Sequence, residues 1–370
     1  MDSKNHLQNQ IDILLAELPW YVEEYYTSRM AAGYSKKTLH LYLFEFRRFF
    51  RWIIDSSVQE QLISENRLNN EEYSAITKDL NIKTLEFIKK TDFEAYITYL
   101  REEPLKAGKN KDESLRSQNH LLTIWSSISA LFSYLTKETE DANGECYFYR
   151  NVTDKVIIRT QRETLARRAA NIQPKLFIGE DMQGLLDYIE NEYASTLSKN
   201  NRSATSFALN KERDLAIVAL FLASGIRLNE LVRLNLNDIH FTTNRIDVIR
   251  KGSIRDSVPV ARFGMDYLKQ YLEIRKEKYA PEKTQNAVFL AIRAGVNRVS
   301  ERTVQTIVNK YTKAYKMRVS PHSLRHSHAS NLYEKTKDLT RVSNQLGHSS
   351  TQISDLYVHI NDAAGNGLDN

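Results

Sequence analysis

The chain is poor in cysteine. Cys146 is the only one among 370 residues, which excludes an intramolecular disulfide and every cysteine-rich zinc module, and fits a reducing compartment. Also missing is any run approaching the ~18 apolar residues that a membrane-spanning helix needs. The opening MDSKNHLQNQ is too polar for a signal peptide, so a cytoplasmic location is expected. No internal repeat or low-complexity tract is present. What the chain does have is apolar material, 41% hydrophobic with 10% aromatic, enough for packed interiors. At about 100 to 200 residues per domain, the length implies two globular domains and a linker. The 52 Lys and Arg against 46 Asp and Glu leave a net charge of +6, which leans toward a polyanionic partner without requiring one.

Residues 1–16 read as a polar segment. LPWYVEEYYTSRMAAG predicts a helix stopping at Gly33, and YSKKTLHLYLFEFRRFFRWII another, with Ser35 as N-cap and Leu39, Tyr42, Leu43, Phe46, Phe49, Phe50 and Ile53 at helical spacing. The opposite face of that helix carries Arg47, Arg48 and Arg51, either as a solvated face or as a stripe turned toward DNA phosphates. Residues 56–84 are polar and predict loops with short helix. Asp92 reads as the cap of FEAYITYLREE, and NHLLTIWSSISALFSYLTKET as a long amphipathic helix. Together these make an all-α domain over 17–154. The weakly periodic stretch 155–175 holds Arg159, Arg162, Arg167 and Arg168, and fits either a basic linker lying along phosphates or an exposed helix.

Residues 176–362 read as a second domain and 363–370 as a tail. In it, ERDLAIVALFLASG is a buried helix ended by Gly225, and IRLNELVRLNLNDI restarts the helix. NRIDVIRKGSIRDSVPVA alternates apolar and polar residues on both sides of a Lys-Gly-Ser turn, which predicts a β-hairpin. Two helices follow to residue 316, and SPHSLRHSHASNLYEKT opens a further one with Ser320 as N-cap and Pro321 at the first helical position. The fold class is therefore mainly α, an all-α N-terminal domain plus an α+β domain with a small antiparallel sheet.

Several polar residues of the second domain have ordinary readings when taken singly. Arg227 at a helix start is commonly a surface ion-pair partner, Lys251 at a hairpin tip a solubilising residue, and His348 a turn residue after Gly347. His322 and Arg325 lie three apart and share a helix face. His328 falls on the stripe of Leu324 and Leu332 and reads as packed, and His326 beside Arg325 reads as structural or supporting. Tyr357, one of 20 tyrosines, is surface, core or nucleophile on its own evidence.

Taken in order, Arg227, Lys251, His322-x-x-Arg325, His348 and Tyr357 resemble the catalytic signature of the tyrosine recombinases, the site-specific DNA recombinases and phage-type integrases. The flanking words SGIRLNEL, RKGSIRDSVPV, PHSLRHSHAS and LGHSSTQISDLY are similar as well. LPWYVEEYYTSRMAAGYSKKTL and the helical first domain resemble the Xer branch, and within it the type that resolves chromosome dimers without a second recombinase. By this resemblance the first domain binds the core DNA site, Tyr357 is the nucleophile, Lys251 protonates the departing 5′ oxygen and His348 hydrogen-bonds the scissile phosphate. The residue chemistry is consistent with that. Two guanidiniums, Arg227 and Arg325, can hold the non-bridging oxygens of a phosphodiester bidentately. A phenol with a pKa of about 10 needs its proton drawn off, and His322 is the candidate base. Glu230, three residues after Arg227, would orient its neighbours.

A 3′-phosphotyrosyl intermediate stores the energy of the broken linkage, so rejoining is expected to need no ATP, metal or other cofactor. The implied partners are a double-stranded DNA recombination site, a homotetramer on two such sites, and a cell-division DNA translocase as candidate activator, with no membrane. In the family a helix beyond the tyrosine docks into a neighbouring protomer. Here VHINDAAGNGLDN follows, weakened by Gly365 and Gly367, with Leu368 as its one strong apolar anchor in the last eight residues.

Two rival classes remain. His322, His326 and His328 resemble a zinc-ligand cluster, but no adjacent carboxylate or cysteine completes it and two arginines would repel a cation. A catalytically idle DNA-binding regulator would not need all six signature residues. Within the family, an integrase or resolvase of a mobile element or plasmid is the alternative. Integrases often add a small N-terminal arm-binding domain, whereas this chain runs directly into the core-binding helices, which favours chromosome dimer resolution at cell division.

Overall fold

The computed structural model describes residues 3–104, 115–159, 163–198, 202–250, 254–292, 295–347 and 355–364, the side chains of 3–5 and 361–364 excepted. The chain divides into two units, Met1–Gln161 and Arg162–Asn370. The first is helical: α1 (Ser3–Ala16), α2 (Trp20–Ala31), α3 (Lys36–Asp55), α4 (Val58–Ser64), α5 (Ile82–Phe87), α6 (Lys90–Glu102) and α7 (Gln118–Lys137). Gly33 ends α2 at φ +80°, a conformation that favours glycine, and the Ser35 hydroxyl opens α3 by accepting from the Thr38 amide at 3.1 Å. On the apolar face of α3, Leu39, Leu43, Phe46, Phe49, Phe50 and Ile53 are buried and Tyr42 partly so, with Phe49 stacked on Phe93 of α6 at 5.4 Å. Helix α6 starts three residues earlier than its sequence suggests, because Asp92 caps backward, accepting from the Lys89 amide at 2.7 Å. The polar opening of the chain also holds a helix. Ile11 and Leu14, three residues apart on one face, are buried, with Leu7 and Leu15 partly so, whereas Ile13 points to solvent.

The second unit contains α8 (Leu165–Ile172), α9 (Glu180–Asp187), α10 (Arg202–Ser224), α11 (Leu228–Arg233), α12 (Arg262–Tyr279), α13 (Glu301–Tyr315), α14 (Pro321–Thr336), α15 (Leu339–Leu346) and α16 (Leu356–Ala364). Its antiparallel sheet has the order β1 (Ile239–His240), β2 (Arg245–Ile249), β3 (Arg255–Pro259). The register pairs Val248 with Asp256 and Ile249 with Arg255. A second two-stranded sheet, β4 (Leu290–Ile292) and β5 (Val296–Arg298), was not evident in the sequence. Helix α10 is apolar all round from Leu215 to Ala223, so it is the central helix, packed against α12 and α14.

A smaller cluster joins the two ends of this unit. Ala169 of α8 and Leu356, Tyr357 and Ile360 of α16 are buried together with Ala329 of α14 and Val342 and Leu346 of α15. The basic stretch that reads as a linker thus contributes a helix to the second unit. The sheet and the helix ends facing it position the site described next. No described helix is long and apolar enough to cross a membrane.

Candidate active site

The site is organised by two helix ends. Helix α10 stops at Ser224, and Gly225, at φ +66°, turns the chain so that Arg227 becomes the N-cap of α11. Glu230, 3% exposed in the first turn of α11, accepts from the Arg227 amide at 2.7 Å and from Arg227 Nη1 at 2.9 Å. The second end is the C-terminus of α15, whose last carbonyls have no partner within the helix. Arg325 of α14 donates to Leu346 O and to Gly225 O, each at 2.6 Å. Arg227 Nη2 donates to Gly347 O at 3.2 Å.

A third guanidinium arrives from the hairpin. Arg250 donates to Leu346 O at 2.8 Å, Gln345 O at 3.0 Å and Asp256 at 2.9 Å, and lies 3.7 Å from Glu230. Three positive charges therefore crowd one helix end. Arg325 is only 4% exposed and forms no ion pair with a carboxylate among the described residues. Burial, then the nearby Arg227 charge, pushes its pKa down to about 10. A desolvated guanidinium held on neutral carbonyls is a ready anion site.

Tyr357 faces this cluster from α16. Its ring is 2% exposed, and its hydroxyl lies 3.0 Å from His326 Nδ1. Burial pushes the phenol up to about 12, and the charge of Arg325 acts against that. His322 and His326 share a face of α14, with their rings edge-on at 4.4 Å. His322 is exposed at the first turn, yet partial desolvation and the charges of Arg325 and Arg227 lower its pKa. His328 turns away and bonds Leu222 O at 2.8 Å. The three histidines do not converge, and no group of three or more His, Cys, Asp or Glu among the described residues could hold a metal ion.

Of the residues singled out in the sequence, Arg227, Glu230, His322, Arg325 and Tyr357 are brought to one region. Lys251, His348 and Arg162 lie outside the described residues. Their sequence neighbours Arg250 and Gly347 meet at the end of α15, where a Cβ on Gly347 would stand 2.7 Å from the Arg250 guanidinium. The candidate DNA-contacting arginines divide. Arg47 and Arg51 share Glu17, at 3.1 and 3.0 Å, and Arg48 pairs with the buried Glu45 at 2.8 Å. Arg159, Arg167 and Arg168 are exposed. Sequence reading missed Arg250, although a signal exists. Ile246, Val248 and Arg250 follow the period of a strand's buried face, and all three are buried.

The chain resembles known proteins in sequence and in fold. The profile of the phage integrase family matches residues 187–364. Proteins named tyrosine recombinase XerS from Streptococcus pneumoniae strain CGSP14 and Streptococcus mutans are each 47% identical over 365 residues, covering 98% of this chain and 98% of their own. Among solved structures, the XerH site-specific recombinase bound to its difH substrate in a pre-cleavage complex superposes with a TM-score of 0.58 at 20% identity, covering 89% of this chain and 79% of its own. A lambda integrase dimer bound to a COC′ core site gives 0.54 at 14%, covering 91% of this chain and 93% of its own. Those two similarities concern the fold, whereas the near full-length identity to the streptococcal proteins places the chain by descent: it belongs to the tyrosine recombinase (phage integrase) family.

Proposed function

We propose that this protein is a site-specific tyrosine recombinase that cleaves one DNA strand with Tyr357, holds the 3′ end as a phosphotyrosyl ester, and rejoins it to a new partner strand. The observation that carries the reading is Arg325, buried beside Arg227 with no carboxylate partner among the described residues and within electrostatic reach of the Tyr357 hydroxyl. A scissile phosphate would supply the missing negative charge. Arg227 and Arg325 would hold its non-bridging oxygens, where charge builds as phosphorus becomes five-coordinate. Glu230 fixes Arg227 at its backbone and side chain. Lys251 would protonate the 5′ oxygen and His348 hydrogen-bond the phosphate, as the family resemblance implies.

Double-stranded DNA carrying a recombination site is the proposed partner, bound by a homotetramer on two sites in the cytoplasm. The exposed Arg159, Arg167 and Arg168, with Arg51, are the proposed phosphate contacts, whereas Arg48 is committed to Glu45. Similarity to proteins named XerS supports chromosome dimer resolution at cell division as the cellular role, with a division-associated DNA translocase as candidate activator. Because dimers arise by homologous recombination, deleting this gene should leave unsegregated chromosomes at division, and blocking homologous recombination should relieve the defect. The biochemical test is a nicked duplex that loses a short fragment on cleavage. A covalent adduct should appear on a denaturing gel, persist in EDTA and vanish in Tyr357→Phe while retarded complexes remain. An adduct lost in EDTA and restored by zinc would contradict the reading.

A further inference from the structure

The signature histidine of α14 is His322, yet the hydroxyl of Tyr357 does not bond to it. Among the described residues that hydroxyl's hydrogen bond runs to His326 Nδ1 at 3.0 Å. His322 stands one helical turn earlier, its ring edge-on against His326. Partial desolvation, then the nearby charges of Arg325 and Arg227, disfavours a proton on it. That makes His322 a weaker base, and as a neutral imidazole it could donate a hydrogen bond to phosphate.

From this geometry we infer that His326 is a further catalytic residue, the one that takes the proton of Tyr357 during cleavage. This rests on Tyr357 being the nucleophile. With the resting proton of His326 on Nε2, Nδ1 accepts from the phenol. As the Tyr357 Oη–phosphorus bond forms and the phosphorus–O5′ bond breaks, the phenolic proton moves to Nδ1. His326 becomes an imidazolium, and O5′ leaves with a proton from the general acid. Rejoining runs the same transfers backward, with His326 returning the proton to Tyr357. The need for such a group follows from burial. A phenol raised to about 12 is ionised in fewer than roughly one molecule in 10⁴ at neutral pH, so spontaneous ionisation contributes little. The same contact fits the fold, since Tyr357 is buried in a cluster with Ala169 of α8 and Ala329 of α14 and its hydroxyl meets His326 of α14.

The experiment separates nucleophile activation from leaving-group protonation. Two nicked duplexes are compared, one with the ordinary scissile phosphate and one with sulfur in place of the bridging 5′ oxygen, a leaving group that departs without a proton. His326→Ala should cleave both about 10²- to 10⁴-fold more slowly than the parent, with unchanged gel-shift affinity. His326→Asn, which can hydrogen-bond but cannot carry the proton, should remain comparably slow and also serves if the alanine variant fails to fold. Lys251→Ala, by contrast, should recover on the sulfur substrate. Parental rates in His326→Ala, recovery of His326→Ala on sulfur, or restoration by Asn would each overturn the inference. Tyr357→Phe should yield no adduct on either duplex. An adduct there would defeat the nucleophile reading itself, and is distinguishable from failure of the His326 step.

Discussion

At the residue scale the account turns on charge placed where water cannot reach it. Arg325 directs two donors at carbonyls, Gly225 O and Leu346 O, so its replacement removes a positive charge and takes the donor from Gly225 O, whereas Leu346 O keeps Arg250. Arg325→Ala should lower the cleavage rate by about 10²- to 10³-fold, while the gel-shift midpoint moves only a few-fold. Arg325→Lys should recover little, because one ammonium cannot fork to both carbonyls. His328 gives a stability prediction. Burial, its largest influence, pulls its pKa from 6.5 down to about 4, and its Nε2 is buried with no hydrogen-bond partner. The folded form therefore binds a proton less readily than the unfolded chain. Its contribution is complete above about pH 6.5 and is lost as pH falls toward 4, with about 2 kcal/mol gone by pH 5. Calorimetry from pH 7.5 to 5 should show the melting temperature of the second unit falling, and a His328→Gln variant should show a shallower fall. Arg227, Arg325 and Tyr357 could be singled out from sequence because each lies in a distinctive word. The partner of Tyr357 was not, because His326 sits beside an arginine on a helix where packing is the commoner use of histidine, and only the fold brings a residue 31 positions away to it.

At the scale of elements, the C-terminus of α15 is the junction. Arg227 from α11, Arg250 from the β2–β3 hairpin and Arg325 from α14 all donate to the carbonyls of residues 345–347. Arg250→Met keeps the bulk and removes two such ties, together with the ion pair to Asp256. It should slow cleavage at saturating DNA while leaving the affinity for DNA unchanged, a rate effect without a binding effect. Gly225 cannot be replaced cheaply. Its φ is +66°, and an added Cβ would stand 2.7 Å from the His328 ring. Gly225→Ala should cost about 1 to 3 kcal/mol of stability, read as a lower melting temperature. Helix α10, the hairpin and the caps at Gly33, Ser35 and Gly347 were readable because local pattern decides them. Helix α8 was not, because among its arginines only Ala169 and Ile172 face inward, and what they cover is α16 from the far end of the chain. Arg250 was hidden for a similar reason, its carbonyl partners lying 95 and 96 residues later.

At the scale of the whole molecule, a net charge of +6 makes DNA affinity a matter of salt. If Arg159, Arg167 and Arg168 contact phosphates, replacing all three with alanine should reduce the slope of log affinity against log salt by about 0.9 per lost contact. Cleavage at saturating DNA and low salt should be unaffected. The helices of both units follow the periodicity of their apolar residues. The division of the basic stretch was not, since exposed arginines look alike on a linker and on a helix. The most direct test of the central claim is the chemistry of the covalent adduct. The complex trapped on a nicked duplex should be digested and the modified peptide sequenced by mass spectrometry. The account predicts a nucleotide joined through its 3′ phosphate to Tyr357, and an adduct on any other residue, or a 5′-phosphate linkage, would contradict it.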